Sequence, residues 1–355
     1  KKPLILGIES SCDETAASLI TENEEGFPVV LSNIVSSQVE VHKEFGGVVP
    51  ELAARSHIEK IDWIVKKAID ESGRKIEEID AVASTAGPGL IVCLSVGLSF
   101  GKAFATAMNK PFIAVNHLEG HALSPKLNTN LNYPYLLLLI SGGHSQYLSV
   151  QNLGKYKRLG TTIDDALGEA FDKTAKLLGI EFPGGPQIEI LAKKGDPEKY
   201  DLPKPIFSKG GCNLSFAGLK TAVLKISKTI KSEQDKYDLA ASFQKTIEEI
   251  LYKKTKIAFT EFEKINELNE KIFVVAGGVA ANKKIRSMLI NLCEENNYKS
   301  IFPPIEFCGD NAAMIAMVGL EKFKINQFDD LDYPAKPRWP LDEDAAFLKG
   351  AGVQL

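Results

Sequence analysis

Short apolar runs separated by polar turns recur along the chain and predict an α/β protein. Residues 4–9 are typical of a buried strand, residues 10–15 of a polar turn and residues 16–20 of a second strand. The same order recurs where residues 135–140 are followed by a glycine turn and by residues 146–150. Two strand–turn–strand units in the two halves suggest a duplicated α/β domain, although two unrelated hairpins would give the same pattern.

Helical spacing of apolar residues predicts helices between further strands. Residues 51–72 have this spacing, and Pro50 suits the first position of a helix. Further helices are expected at about 90–108, 165–178, 235–262, 279–293 and 311–323. Further strands are expected at 29–36, 79–84, 111–115 and 272–276.

Length and composition indicate a globular protein of two domains. The chain has 355 residues, of which 44% are hydrophobic and 25% charged. No uninterrupted apolar run reaches the ~18 residues that cross a bilayer, and the start lacks the apolar core of a signal peptide. We therefore expect no membrane association. The five cysteines are widely spaced and form no CxxC pair, which predicts a reducing, cytoplasmic location.

Two histidines four residues apart suggest a metal site. On a helix, His117 and His121 would lie on one face, one turn apart, and both zinc and iron accept imidazole. We expect a carboxylate as third ligand, and Asp310 is the best candidate because it begins the last helix. The alternatives are core or surface histidines and an aspartate that caps a helix. The segment HLEGH lacks the glutamate base of an HExxH protease.

Three turns that follow predicted buried strands suggest nucleotide binding. They are residues 10–15, residues 141–144 and Gly277–Gly278. Backbone N–H groups in such turns bind anions, so three of them in two halves suggest a nucleotide in a cleft between domains. Asn282, four residues after the last turn, is a candidate for binding a sugar hydroxyl, the alternative being a solvated helix residue.

Nine ordered segments make the sequence recognisable. They read GIESSCDETAAS, VVPELAARSHIEKI, NHLEGH, LLISGGHSQ, IDDALGEAFDKTAKLLG, PGGP, LSFAGLKTA, VVAGGVAAN and FCGDNAAMIA. Together they resemble the TsaD (Gcp/YgjD/Kae-type) family of tRNA adenosine threonylcarbamoyltransferases, once misnamed O-sialoglycoprotein endopeptidases. The resemblance runs from about Leu4 to Glu343, and PRWPLDE near its end is similar to the bacterial branch or its mitochondrial descendant.

The resemblance implies a fold and a reaction. The fold is that of acetate kinase, sugar kinases, heat-shock ATPases and actin (ASKHA): two duplicated actin-like α/β domains around a nucleotide cleft. Residues 1–114, with a returning helix and tail at about 310–355, are expected in one lobe and residues 115–309 in the other. The reaction transfers a threonylcarbamoyl group from threonylcarbamoyl-AMP to N6 of adenosine 37 in tRNAs that read ANN codons, forming threonylcarbamoyladenosine (t6A). The chain would then be an acyltransferase of tRNA modification; the alternatives are a metalloprotease and a non-catalytic ATP-binding scaffold.

The resemblance also carries over site residues. His117, His121 and Asp310 match the family's ligands for one divalent metal per chain, usually iron(II) and sometimes zinc. Asp13 or Glu14 is a candidate for proton transfer from the adenosine amine. Adenylate-binding positions, where ATP or ADP can also bind, match Leu139, Ile140, Ser141, Gly142, Gly143, Asp172, Gly185, Asn282 and, where family members vary, Glu189.

Partners and a tRNA surface complete the expectations. The resemblance implies tRNA, a TsaB-type paralogue, a TsaE-type ATPase and a TsaC-type synthase that supplies the adenylate; the mitochondrial version acts alone as a homodimer in the matrix. The net charge of −4 means that tRNA must bind a local basic patch. Residues 202–232 contain six lysines and no acidic residue, and among them Lys220, Lys225 and Lys228 are the candidates. The alternative is a solvated helix face.

Overall fold

The computed structural model describes residues 2–346 and 348, which form two compact units. Of the described residues, the first unit comprises 2–131 and 303–343, and the second comprises 132–302, 344–346 and 348. The strands are β1 (Ile5–Glu9), β2 (Glu14–Glu22), β3 (Pro28–Ser37), β4 (Ala81–Gly87), β5 (Phe112–Asn116), β6 (Tyr135–Ile140), β7 (Ser145–Asn152), β8 (Lys155–Thr161), β9 (Ile272–Ala276) and β10 (Lys299–Ile301). The α-helices are α1 (Val39–His42), α2 (Pro50–Ser72), α3 (Ile91–Met108), α4 (His117–Leu123), α5 (Leu167–Leu177), α6 (Gly184–Ala192), α7 (Ala217–Ser227), α8 (Glu233–Ile265), α9 (Lys283–Glu295) and α10 (Ala313–Lys324).

Each unit contains one five-stranded sheet, and the two sheets have the same topology. The first has the strand order β3-β2-β1-β4-β5 and the second β8-β7-β6-β9-β10. In both, the first three strands of the order pair antiparallel, and the last two continue parallel from the middle strand. The strand–turn–strand units predicted from the sequence are β1–β2 and β6–β7, which occupy equivalent places. The predicted duplication of an α/β domain is therefore confirmed.

Close packing of α10 shapes the first unit. A Cβ built on Gly7 of β1 would lie 2.4 Å from the Ala312 carbonyl oxygen and 2.7 Å from Ala316 Cβ. A Cβ built on Gly319 of α10 would likewise lie 2.6 Å from Ala83 Cβ of β4. Any larger side chain at either glycine would force the helix away from the sheet. This contact fixes the segment just before α10, which contains Asp310.

The boundaries of the two units differ from those expected. The expected break after residue 114 falls inside β5, which is paired with β4 along Phe112–Asn116. Since α4 follows that strand without a break, residues 115–131 stay with the first sheet, and so do residues 303–309. Of the tail expected there, residues 344–346 and 348 belong to the second unit, and residues 347 and 349–355 lie outside the described residues.

Helix α3 is the one helix of the described residues that is long and apolar enough to cross a membrane. Its 18 residues have a mean hydropathy of 1.6, and 33% of them are buried. A lysine, two serines and a threonine interrupt its apolar residues, so the sequence does not present it as one apolar run. Helix α3 packs against α2 and β4, as a core helix also would, and taken alone it is weak evidence of a membrane span.

A buried histidine fixes the turn between β1 and β2. His57, which is fully buried on α2, has its Nε2 2.8 Å from the Cys12 carbonyl oxygen and its Nδ1 2.7 Å from Thr15 Oγ1. A carbonyl only accepts, so Nε2 carries the proton and the Thr15 hydroxyl donates to Nδ1. Burial lowers the pKa of His57, although the Cys12 carbonyl and nearby carboxylates oppose this shift. The folded protein therefore holds a neutral His57.

We predict that this histidine makes stability pH-dependent. As the pH falls below the ordinary pKa of 6.5, the unfolded chain takes up a proton that folded His57 does not. The free energy of unfolding then falls with pH, by at most about 1.4 kcal/mol per pH unit from this group. His57→Gln should flatten the slope in urea unfolding between about pH 8 and pH 5, whereas His144→Gln, at a half-exposed histidine, should not. Equal slopes for wild type and His57→Gln would contradict a neutral buried His57.

Candidate metal centre and nucleotide-binding turns

The two predicted histidine ligands lie on α4, which begins directly where β5 ends. Asn116 caps this helix, because its Oδ1 accepts a hydrogen bond of 2.9 Å from the Leu118 N–H. The Asn116 amide also donates to the Trp339 carbonyl oxygen, at 3.0 Å. Every residue of α4 is buried. The helix therefore fixes both imidazoles one turn apart, as predicted, with their ring centroids 4.8 Å apart and their planes at 86°.

Asp310 lies three residues before α10 and does not cap it. The neighbouring Asn311 supplies that contact, since its Oδ1 accepts the Met314 N–H at 3.0 Å. The Asp310 carboxylate is thus free of the capping role considered for it. It contacts both histidines instead.

The three predicted ligands converge on one point. Asp310 Oδ1 lies 3.0 Å from His121 Nε2 and 3.3 Å from His117 Nε2, and one ligand atom of each residue lies within 4.8 Å of the others. In a tetrahedral site with bonds of about 2.0–2.1 Å, ligand atoms lie about 3.4 Å apart. Two imidazoles and one carboxylate are also a ligand set that zinc and iron accept. The residues therefore fit a divalent transition metal.

Glu9 makes this cluster more acidic, and the sequence analysis missed it. Its carboxylate is 1% exposed, and Oε2 lies 3.0 Å from His117 Nδ1. Burial opposes a charge on His117, but Asp310 and Glu9 outweigh burial and raise the pKa of His117 well above its ordinary value. Burial likewise opposes ionisation of Asp310, but His117 and His121 lower its pKa. The carboxylates of Glu9 and Asp310 therefore stabilise a positive charge at this cluster, either on the His117 ring or on a bound metal ion.

The candidate proton-transfer residues belong to the same unit. Asp13 is 9% exposed in the turn, and Glu14 begins β2. Burial raises the pKa of Glu14 well above its ordinary value, and the negative charges of Asp310 and Asp13 add to the shift. A carboxyl group with a raised pKa is the better proton acceptor near neutral pH. The structure thus places an acid/base candidate within electrostatic reach of Asp310.

Glu119, in the middle of HLEGH, is engaged elsewhere. It is 4% exposed, and its Oε2 lies 3.6 Å from Lys322 Nζ of α10. Lys322 also donates to the Ala114 carbonyl oxygen, at 3.0 Å. This buried pair ties α4 and β5 to α10 and so supports the geometry of the metal ligands.

In the second unit, two of the predicted nucleotide-binding turns come together. Leu139 of β6 pairs in parallel with Ala276 of β9, so both strands end at the same edge of the sheet. Gly277, which follows β9, has φ +95°, and a Cβ there would lie 2.4 Å from the Ile140 carbonyl oxygen. Gly142 and Gly143, which follow β6, have open space where a Cβ would stand. The turn after β6 therefore leaves room for a ligand beside Gly142 and Gly143.

Two of the other predicted adenylate-binding residues, Asp172 and Glu189, each accept a backbone N–H beside a further predicted residue. Asp172 Oδ1 accepts the Gly184 N–H at 2.8 Å. Next to it, a Cβ built on Gly185 would meet only Phe171 Cβ, at 3.9 Å, so there is room beside this glycine. Glu189 Oε1 accepts the Lys283 N–H at 2.9 Å, beside Asn282.

Asn282 is buried and caps α9, so it is not a solvated helix residue. It is 8% exposed, and its Oδ1 accepts the N–H groups of Lys284 and Ile285 at 3.1 and 3.0 Å. Its amide donates to Gln244 Oε1 at 3.0 Å. A sugar hydroxyl at this position would have to share the amide with Gln244.

The three predicted tRNA-binding lysines lie on or just after α7. Lys225 and Lys228 are exposed, whereas Lys220 Nζ lies 3.8 Å from Asp165 Oδ2. Lys204, from the same stretch, pairs with Glu249 of α8. Residues 202–232 contain no acidic residue, but Asp165 and Glu249 from other segments lie against two of their lysines. Counting charges along the sequence could not show this.

Comparison with known proteins identifies the family. The sequence profile of "TsaD: tRNA N6-adenosine threonylcarbamoyltransferase" matches residues 29–317. The chain is 81% identical over 355 residues to a protein of that name from Pelagibacter ubique, covering 100% of this chain and 99% of that one. It is 54% identical over 342 residues to a protein of the same name from Rickettsia conorii, covering 96% of this chain and 98% of that one.

Solved structures show a similar fold. A full-length HypF in a phosphate- and nucleotide-bound form has a TM-score of 0.60 at 13% identity, covering 92% of this chain and 47% of HypF. Component A of the (R)-2-hydroxyglutaryl-CoA dehydratase from Acidaminococcus fermentans has a TM-score of 0.50 at 13% identity, covering 91% and 98%.

The fold is that of the duplicated, actin-like α/β class (ASKHA), as the resemblance implied. Within that class, the chain belongs to the TsaD family of tRNA N6-adenosine threonylcarbamoyltransferases. The predicted family and its transferase activity are therefore confirmed.

We predict that Asn282 stabilises the fold through its capping oxygen rather than through its amide N–H. Asn282→Ala removes the cap and should lower the free energy of unfolding by about 1 kcal/mol. Asn282→Asp keeps the capping oxygen but loses the amide, so it should retain most of that stability. Urea unfolding of both variants checks this, and an equal loss for Ala and Asp would show that the cap is not what Asn282 contributes.

Proposed function

We propose that this protein transfers the threonylcarbamoyl group from threonylcarbamoyl-AMP to N6 of adenosine 37 in tRNAs that read ANN codons, with one divalent metal at His117, His121 and Asp310. The observation that carries the metal site is the position of Asp310 Oδ1, at 3.0 and 3.3 Å from the two histidine Nε2 atoms. Its support is the fit of the ligand set and its occurrence in a chain 81% identical to a named transferase.

The chemistry requires no covalent nucleophile on the protein. The adenosine N6 attacks the carbamoyl carbon, the bond from that carbon to the phosphate oxygen breaks, and AMP leaves with the bonding electrons. When bound, the metal supplies a Lewis acid that polarises the donor; iron(II) is favoured and zinc is the second choice. Glu14, with its raised pKa, takes the proton that N6 loses, and Asp13 is the second candidate.

The second unit holds the adenylate. Its phosphate binds backbone N–H groups in the stretch from Leu139 to Gly143, at the turn after β6, where Gly142 and Gly143 leave an open approach. Asp172, Gly185, Glu189 and Asn282 surround the rest of the nucleotide. An ATP- or ADP-type nucleotide would use the same contacts.

A peptidase has less support. A protease of the HExxH type needs a glutamate base next to its first histidine. Here the glutamate is two residues further on, and Glu119 pairs with Lys322. A non-catalytic scaffold, in turn, would not require three converging ligands.

Partners and location follow from the family. We propose a TsaB-type paralogue, a TsaE-type ATPase, a TsaC-type synthase as the source of the adenylate, and a cytoplasmic location. A homodimer that acts without partners is the alternative arrangement. The high identity to a bacterial protein supports the first arrangement.

The direct test is formation of t6A. Purified protein should contain about one divalent transition metal per chain and should form t6A from tRNA and threonylcarbamoyl-AMP, measured by mass spectrometry of nucleosides with and without partner proteins. His117→Ala/His121→Ala/Asp310→Ala should lose the metal and at least about 100-fold in rate. Asp70→Ala, at an exposed carboxylate of α2, is the control. Full metal content in the triple variant would contradict the site.

A second test concerns tRNA. Lys220→Glu/Lys225→Glu/Lys228→Glu should weaken tRNA binding and reduce its salt dependence, by a slope of about 0.7–0.9 for each lost phosphate contact. Adenylate binding should be unchanged. The same charge change at Lys66, Lys67 and Lys75, exposed lysines of the first unit, is the matched control. Identical tRNA titrations for wild type and the α7 variant would exclude this surface.

A further inference from the structure

Glu9 faces the side of His117 that points away from the other ligands. His117 Nε2 contacts Asp310, whereas its Nδ1 lies 3.0 Å from Glu9 Oε2. Ser11 Oγ is also near Nδ1, at 3.2 Å. The imidazole is therefore held on both sides, by the Asp310 carboxylate at Nε2 and by the Glu9 carboxylate at Nδ1.

The Glu9 carboxylate is itself fixed. Oε1 accepts the Ser11 N–H at 2.5 Å, and Oε2 accepts the Thr85 hydroxyl at 2.5 Å. Glu9 ends β1 and Thr85 lies on the neighbouring strand β4, so the sheet holds the carboxylate in place. Both oxygens of this buried carboxylate are held by hydrogen bonds, and Oε2 also faces the His117 ring. Glu9 is therefore placed to hold the orientation of the His117 imidazole.

We propose that Glu9 is a positioning residue of the metal centre. Its carboxylate accepts the Nδ1–H of His117, which leaves the Nε2 lone pair for the metal and makes that nitrogen a stronger donor. The inference rests on the proposed metal site. It adds a residue that holds one ligand without contacting the metal.

The second histidine lacks such support. Among the buried side-chain atoms of the described residues, His121 Nδ1 has no hydrogen-bond partner. The backbone of His121 is held, because Ser124 Oγ donates to its carbonyl oxygen at 2.8 Å. Support through a carboxylate is therefore specific to His117, and removing Glu9 should affect one ligand of the three.

Glutamine is an informative replacement at Glu9. The two carboxylate oxygens face donors at both ends, the Ser11 N–H at Oε1 and the Thr85 hydroxyl and His117 ring at Oε2. A glutamine has only one oxygen, so its NH₂ group would meet a donor at one end. Size and burial are kept, whereas the negative charge against His117 Nδ1 is lost whichever way the amide faces. Thr85→Val removes the hydroxyl that holds Glu9 Oε2, and so tests the same support through Glu9 without changing Glu9 itself.

The experiment measures Co²⁺ affinity of the full-length protein by competition with a chelator, together with the visible spectrum of bound Co²⁺. Glu9→Ala and Glu9→Gln should bind Co²⁺ about 10–100-fold more weakly than wild type, with an altered spectrum, and Thr85→Val should shift affinity in the same direction by less. Asp238→Asn is the matched control. It neutralises a buried carboxylate on α8 of the second unit, which accepts the Asp196 N–H at 2.8 Å, and should retain affinity within about threefold.

The outcomes separate this inference from the metal site itself. Wild-type affinity in folded Glu9→Gln and Thr85→Val would overturn the role of Glu9 and leave the metal centre standing. An equal loss in Asp238→Asn would also overturn it, since removing any buried negative charge would then have the same effect. A wild-type protein that binds no Co²⁺ would overturn the metal centre, and this inference with it.

Discussion

The first unit depends on one carboxylate oxygen placed between two imidazoles. Asp310 Oδ1 contacts both His117 and His121, although 189 residues separate Asp310 from the nearer histidine in sequence. This requires α10 to pack closely on the first sheet, and the glycines at Gly7 and Gly319 permit it. The buried Lys322–Glu119 pair then ties α10 to α4. Residues that do not themselves bind the metal thus hold its ligands in place.

Much of the fold could be predicted because its central strands are buried on both faces. Strands β6 and β9 have the predicted bounds, since a continuous apolar run ends sharply at a glycine turn. Strand β8 was missed: within the described residues it pairs with β7 alone, and it exposes lysines at alternate positions, as edge strands often do. The domain boundary was also misplaced, because nothing in a local pattern distinguishes a strand that ends a unit from one that begins another.

The candidate site was predicted in part, and the missing part has a physical reason. The two histidines could be paired from their spacing alone, because a helix has a fixed period. Glu9 could not be paired with His117, since they meet only through the sheet; its one signal was an acidic residue ending a buried apolar strand. Asn282 was assigned to a ligand or to solvent, whereas in the structure its oxygen caps α9. Capping and ligand binding use the same residue types, so sequence leaves them unresolved.

The central claim is that His117, His121 and Asp310 bind one metal ion, and the most direct measurement is anomalous X-ray diffraction from crystals of the protein grown with iron(II) or zinc. We predict a single anomalous peak per chain, bonded to both histidine Nε2 atoms and to Asp310 Oδ1, at about 2.0–2.2 Å. The Glu9 carboxylate should remain on His117 Nδ1. Crystals of metal-loaded protein with the peak elsewhere, or with no peak among these three residues, would contradict the account.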